Sequence, residues 1–441
     1  MWIEELTVEN IKGFEKINLK FSKKKEPVKW ITLLGENGGG KSTILQSLGL
    51  LLAGPEHVNK LLPVPTGWVR NEGQPGKLTI RIHQGINDPG TFGEKQQSKS
   101  FSYTYFVTGS KSTNIRNKIY TEPAILENPE KRLTWLKQNA LTSKGKGWFA
   151  AGYGAFRRLT RESRVIVPTI TSQERHNNFT TQFKEDEPLS SFEQWMVYLD
   201  YRIAKGENGS KKQAQRQLKI AVEAVNKILP NGVVFDSVSE DGKILFNDKG
   251  VKVPTLGLSD GYRSILALMG DLIWRLLDHF PDSKDPLKEE GVVLIDELDI
   301  HLHPVWQRNI AMLLREQFPN IQFIVATHSP MITAGAGPDA LTYRFLFDGN
   351  KTEVNEIQNL AFLSVDKILA SEAFSLVSPF SPQTEAQIQK YLKLKTKSRL
   401  SKKEELELQE TLPFVEKAYA ALPEQDELLS KVDNYLEKLL K

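Results

Sequence analysis

The segment Gly35-Glu36-Asn37-Gly38-Gly39-Gly40-Lys41-Ser42-Thr43 restricts the fold of this chain more than any other. It has the form G-x-x-x-x-G-K-[ST] and follows the apolar run Trp30-Ile31-Thr32-Leu33-Leu34. It opens a stretch to about Ala53 in which Ile44, Leu45, Leu48, Leu51 and Leu52 recur at helical spacing. Buried strand, glycine loop and helix, in that order, make a cradle for phosphate. Glycines let backbone N–H groups close around an anion, and the helix N-terminus adds positive partial charge. Residues Asn37, Gly38, Gly39, Gly40, Lys41, Ser42 and Thr43 are therefore expected to bind a nucleotide. Lys41 is placed to reach the β- and γ-phosphates, and the Ser42 hydroxyl to hold Mg²⁺.

Three more motifs follow in the second half of the chain. Val292-Val293-Leu294-Ile295 predicts a buried parallel strand ending in Asp296 and Glu297. Ligands of open α/β sheets bind at that end, so Asp296 is expected to hold Mg²⁺ and Glu297 to polarise an attacking water. About 30 residues earlier, Leu258-Ser259-Asp260-Gly261 precedes a helix whose apolar side carries Ile265, Leu268, Met269, Leu272, Ile273 and Leu276. Ser259 and Gly261 there offer a second anion site. Phe323-Ile324-Val325-Ala326-Thr327 predicts a further buried strand, and its distance from Glu297 suits a sheet neighbour ending in His328. His301-Leu302-His303 has a metal-like spacing, but no third ligand lies within sequence reach.

Taken together and in this order, the four motifs resemble the ABC ATPase superfamily, in the branch of SMC proteins, RecF and the OLD-family ATPases. The resemblance is close over about residues 1–53 and 251–335. It implies an α/β ABC-ATPase head with a mixed sheet, a P-loop core, an antiparallel β lobe and inserted plus C-terminal helices. It implies ATP and Mg²⁺ as cofactors, Glu297 as the catalytic glutamate, His328 as the switch histidine and Asp299 as the D-loop aspartate. Ser259 and Gly261 would then contact nucleotide held by an opposite subunit, in an ATP-sandwiched head dimer or a higher homo-oligomer. Asn10-Ile11-Lys12-Gly13-Phe14 resembles an opening common in this branch and brings Lys12 toward phosphate. Gln84, or the strand running from Gly147 to Arg158 with Arg157 and Arg158, would supply the remaining wall.

The gap between the two halves is about 100 residues and lacks a sustained heptad pattern, which excludes an SMC tether. The expected organisation is a head from 1–158 and 251–357, a helical insertion over 159–250, and a charged helical tail over 358–441. Leu341–Phe347 and Lys351–Ile357 predict a hairpin, and Ser401-Lys402-Lys403-Glu404 a capping box. The tail from Val365 to Phe374 and beyond resembles that of Septu-type ATPases of anti-phage defence, also found with retrons. That resemblance implies a separately encoded nuclease as partner, of HNH type, with ATP state controlling it. A RecF-like repair ATPase and a non-catalytic ATP-binding scaffold are the other readings.

No run of about 18 apolar residues occurs, so no membrane span is expected. The opening lacks a basic and then apolar signal pattern. The chain has no cysteine, which excludes disulfides and thiolate metal sites and fits a cytoplasmic location. The net charge of +4 does not announce a nucleic-acid binder. The basic segments 131–164 and 205–219 are either solvated surface or a salt-sensitive DNA or RNA patch.

Overall fold

Alternation of side chains along strands decides how the layers stack. In the strand Gly291–Ile295, Val292 and Leu294 belong to one apolar core, while Val293 and Ile295 belong to another. A sheet apolar on both faces must be covered on both, and this one is. The computed structural model describes residues 1–24, 26–92, 100–142, 147–156, 174–184, 189, 191–229, 232–358, 360–375, 378, 380–397 and 399–420. These fall into two units, Met1–Val365 and Asp366–Lys441.

In the first unit, β1 (Trp2–Ile11) and β2 (Phe14–Lys20) form a hairpin, and β3 (Trp30–Gly35) leads through the glycine loop into α1 (Lys41–Ala53) and the short α2 (Val58–Leu61). β4 (Gly76–His83), β5 (Ser100–Val107) and β6 (Ile125–Glu127) complete an antiparallel sheet of order β6-β5-β4-β1-β2. Its register sets Leu19, Leu6, Ile80 and Tyr103 in one row, and all four are buried. The Tyr103 hydroxyl donates to the Leu51 carbonyl (2.7 Å), which fastens this lobe to α1.

The central sheet combines β3 with β7 (Ala150–Tyr153), β8 (Gly291–Ile295), β9 (Ile321–Thr327), β10 (Leu341–Phe347) and β11 (Thr352–Ile357). Its order is β7-β8-β9-β3-β10-β11, parallel except for the β10–β11 hairpin. One face packs on α1 and the antiparallel lobe. The other packs on α3 (Ser191–Lys205), α4 (Asn208–Ile228), α5 (Asp260–His279) and α6 (Pro304–Gln317). The mixed sheet, β lobe and added helices are those expected of an ABC-ATPase head.

Gln322 couples the two sheets. Its side chain is fully buried, accepts from Ile3 N–H (2.7 Å), and lies within bonding reach of the carbonyls of Ile3, Phe21 and Val28 (3.1–3.2 Å). A buried amide here satisfies backbone groups that the sheets leave open.

The interval read as a helical insertion is not wholly helical. After α3 and α4 it enters a three-stranded antiparallel sheet from Val233–Val238, Ile244–Asp248 and Val251–Pro254, the last strand lying just past the interval. The turns at Asp241-Gly242 and Lys249-Gly250 use left-handed residues, with φ of 72° at Gly242, 52° at Lys249 and 94° at Gly250. The β-rich composition between these turns outweighs helix formation.

The second unit contains α7 (Pro382–Lys395) and α8 (Lys402–Ala420), which pack together with a Lys390–Glu407 ion pair. The expected capping box forms: Ser401 N–H and Oγ–H donate to Glu404 (2.9 and 2.8 Å), and Glu404 N–H donates to Ser401 Oγ (3.4 Å). Among the described residues no helix is long and apolar enough to cross a membrane.

Candidate functional site

β3, β8 and β9 run parallel as neighbours, so the loops at their C-terminal ends converge. The loop after β3 has left-handed backbone at Gly35, Gly38 and Gly40, with φ of 154°, 81° and 92°. Two of these positions also lack room for a side chain. A Cβ on Gly35 would stand 2.4 Å from the Phe345 carbonyl oxygen, and one on Gly40 would stand 2.5 Å from the Phe14 ring. Phe14, the first residue of β2, thus presses the antiparallel lobe against the glycine loop. Asn37, Gly38 and Ser42 are exposed, whereas Gly39 and Thr43 are buried.

Lys41 is buried, and its ammonium donates to the carbonyls of Gly35 (2.8 Å) and Glu36 (2.9 Å). Burial pushes its pKa below the usual lysine value, while Asp296, Glu297, Asp299 and Glu36 pull it back up. Those four acids and His328 therefore share one electrostatic neighbourhood with Lys41.

The acids are held by the ends of their strands. Asp296 N–H donates to the Tyr153 carbonyl (2.8 Å), which joins β7 to this wall. Glu297 has a φ of 44°, a strained value for a residue with a Cβ. Asp299 Oδ1 accepts from the Thr327 hydroxyl (2.5 Å) and from His328 N–H (3.2 Å), tying the loop after β8 to the end of β9. Gln307 of α6 donates to the carbonyls of Asp299 (3.3 Å) and Leu302 (2.8 Å) and accepts from the Ser329 hydroxyl (2.6 Å). Sequence reading gave Thr327 no role beyond its strand and missed Gln307, because each acts through a residue distant in the chain or outside any motif.

His328 is half-buried, and its Nε2 is enclosed without a hydrogen-bond partner among the described residues. Burial first, and Lys41 second, lower its pKa and keep the ring neutral at neutral pH. An enclosed nitrogen within the field of a buried lysine fits an anionic ligand group that would complete its bonding.

Ser259 and Gly261 stand at the start of α5. Ser259 is exposed and caps the helix by accepting from Tyr262 N–H (3.4 Å). Gly261 lies against the His301 carbonyl, which a Cβ would approach to 3.0 Å. His303 caps α6 through Nδ1, accepting from Val305 N–H (3.4 Å). Lys12 has a φ of 44° and rests its ammonium 4.6 Å from the centre of the Trp68 ring.

Gln84 is used within its own loop, donating to the carbonyls of Asp88 (3.2 Å) and Gly90 (2.7 Å). The strand from Ala150 to Tyr153 pairs with β8 and forms the wall beside Asp296. Arg157 and Arg158 lie outside the described residues. Of the basic segment 205–219, Arg216 bonds the carbonyls of Ser283 and Lys284. Beneath the wall, the buried Asp271 of α5 accepts from the Tyr153 hydroxyl (2.9 Å) and pairs with Arg275.

Residues 31–334 match the family described as "AAA domain, putative AbiEii toxin, Type IV TA system". The chain belongs to this AAA family. It is 27% identical to the "Septu protein PtuA" of Bacillus mycoides over 98% of its own length and 53% of that protein, so it spans about half of that relative. It is 26% identical to the "Retron Ec83 probable ATPase" of Escherichia coli, over 75% of this chain and 69% of that one. Among solved structures, an SMC head bound to the C-terminal winged-helix domain of ScpA has a TM-score of 0.50 at 15% identity, covering 82% of this chain and all of that chain. That likeness concerns the fold. The resemblance to ABC-type ATPases and to those of Septu and retron systems, read first from motifs, thus has relatives along most of the chain.

Proposed function

We propose that the chain hydrolyses ATP with Mg²⁺, that two copies close head to head on two nucleotides, and that this cycle regulates a separately encoded nuclease in anti-phage defence. The observation that carries the catalytic part is the meeting of Lys41, Asp296, Glu297, Asp299 and His328 beside the glycine loop. The defence role is supported by the similarity to the Septu and retron proteins.

Backbone N–H groups from Asn37 to Thr43 would wrap the phosphates, with Lys41 exchanging its two carbonyl partners for phosphate oxygens. Ser42 and Asp296 would hold Mg²⁺, which when bound neutralises charge on the β- and γ-phosphates. Glu297 would orient a water in line with the γ-phosphate, and His328 would donate from Nε2 to a γ-phosphate oxygen. Lys12 would leave Trp68 to join the phosphate contacts. Ser259 faces solvent at a helix N-terminus, where it can meet nucleotide on a second copy. Asp299, tied to His328, would convey phosphate loss to that interface.

The test is turnover of Mg·ATP by the pure chain, together with co-purification of products of neighbouring genes. The proposal expects turnover that disappears in Lys41→Ala, and an HNH-type nuclease retained by the tagged chain. Negligible turnover would favour a scaffold. Retention of no partner, with binding to gapped DNA, would favour a repair ATPase.

A further inference from the structure

Away from the nucleotide site, three side chains converge where α1 gives way to α2. His57, the residue before α2, is 2% exposed, and neither of its ring nitrogens has a hydrogen-bond partner among the described residues. Glu174 and His176 come from the segment 174–184. One ligand atom from each of the three residues lies within 4.8 Å of the others. His176 Nδ1 is 3.2 Å and His57 Nδ1 3.9 Å from Glu174 Oε2, and the two imidazoles stack at 5.3 Å.

We propose that His57, Glu174 and His176 form a binding site for a zinc-class divalent ion. A tetrahedral ion with bonds of about 2.0–2.1 Å holds its ligand atoms roughly 3.4 Å apart. The two measured separations from Glu174 lie within about half an ångström of that edge. Two imidazoles and a carboxylate suit Zn²⁺ and its transition-metal neighbours, whereas Mg²⁺ prefers all-oxygen sites. Three protein ligands leave the fourth position to water or an external ligand.

The position gives the ion a mechanical role. Arg175, between the two surface ligands, donates to the Leu52 carbonyl in the last turn of α1 (2.8 Å). Gln46 on the same helix donates to the Gln182 carbonyl (2.9 Å). An ion at His57 would therefore lock segment 174–184 onto the helix whose other end is the glycine loop. A competitor is also present, since the Lys60 ammonium pairs with Glu174 Oε2. Lys60 is 48% exposed and can swing into solvent.

The test uses the full chain, stripped with chelator and free of nucleotide, titrated with Zn²⁺ against a chromophoric chelator and with Co²⁺ by visible absorption. The expected result is a single Zn²⁺ per chain, Co²⁺ bands of four-coordinate intensity, and a Tm that rises with zinc. His57 is buried, so His57→Ala tests the fold as well as the ligand, and the more exposed His176 carries the argument. His176→Ala and Glu174→Gln should each weaken Zn²⁺ by at least the roughly 10–100-fold that loss of an outer-shell partner causes, and Lys60→Met should strengthen it. No uptake, or uptake unchanged in His176→Ala and Glu174→Gln, would overturn the proposal.

Discussion

Replacing Gly40 by alanine should disable the glycine loop through two separate costs. Gly40 sits at a φ of 92°, where an L-residue costs about 1–2 kcal/mol. The new Cβ would lie 2.5 Å from Phe14 Cζ and 2.8 Å from Cε2, far inside carbon contact distance. Phe14 has little room to retreat, since it is fully buried with its ring edge-on to Phe345 at 6.2 Å. Overpacking of this kind costs about 1–3 kcal/mol, so Gly40→Ala should lose about 2–5 kcal/mol in total. Phe14→Leu removes the clashing ring atoms but not the backbone cost. In that background the alanine should cost only about 1–2 kcal/mol, a coupling of about 1–3 kcal/mol in the double-mutant cycle. Urea unfolding of the four proteins measures this, and titration with a fluorescent ATP analogue should show weakened binding that Phe14→Leu restores in part. Equal costs in both backgrounds would refute the steric argument.

Gln322→Leu should destabilise the chain by roughly 3–5 kcal/mol, because it strands the Ile3 N–H and removes the amide that serves three carbonyls between the sheets; denaturant midpoints at constant m report it. His279 donates from Nε2 to the Gly147 carbonyl (2.8 Å), and burial lowers its pKa from 6.5 to about 4. The unfolded chain takes up this proton first, so the stability is complete above about pH 6.5 and is lost as pH falls toward 4, by roughly 3 kcal/mol in total. His279→Gln, which keeps a donor but does not titrate, should flatten the stability profile between those limits. Asp271→Ala should cost about 3–5 kcal/mol by leaving Arg275 buried without its carboxylate, and near-neutral behaviour in thermal unfolding would contradict the role assigned to that pair.

The parts of the site that sequence made legible are those where local pattern and chemistry coincide. The strand Trp30–Gly35 and the helix from Lys41 to Ala53 have the bounds that their glycine loop imposes. Asp296 and His328 end neighbouring strands because two apolar runs of sheet length needed adjacent places in one parallel sheet. Contacts between distant residues were not legible. Gln322 meets Ile3 across more than 300 residues, and Tyr153 meets Asp271 and Arg275 inside the fold. His57 and His176 each look like isolated histidines until the chain brings them together. Gln84 and the Gly147–Arg158 strand were equal alternatives in sequence, because nothing local reveals that the Gln84 amide is spent on carbonyls of its own loop. The sheet over 233–254 could have been found from its Asp241-Gly242 turn between apolar runs.

The central claim is that nucleotide is shared between two copies of this chain, with Ser259 of one completing the site of the other. The most direct measurement is the mass of Glu297→Gln in solution by light scattering, with and without Mg·ATP. The account predicts a doubling of mass with ATP that a further Ser259→Arg substitution abolishes while ATP binding to Lys41 persists. An unchanged mass with ATP demonstrably bound, or a doubling indifferent to Ser259→Arg, would contradict it.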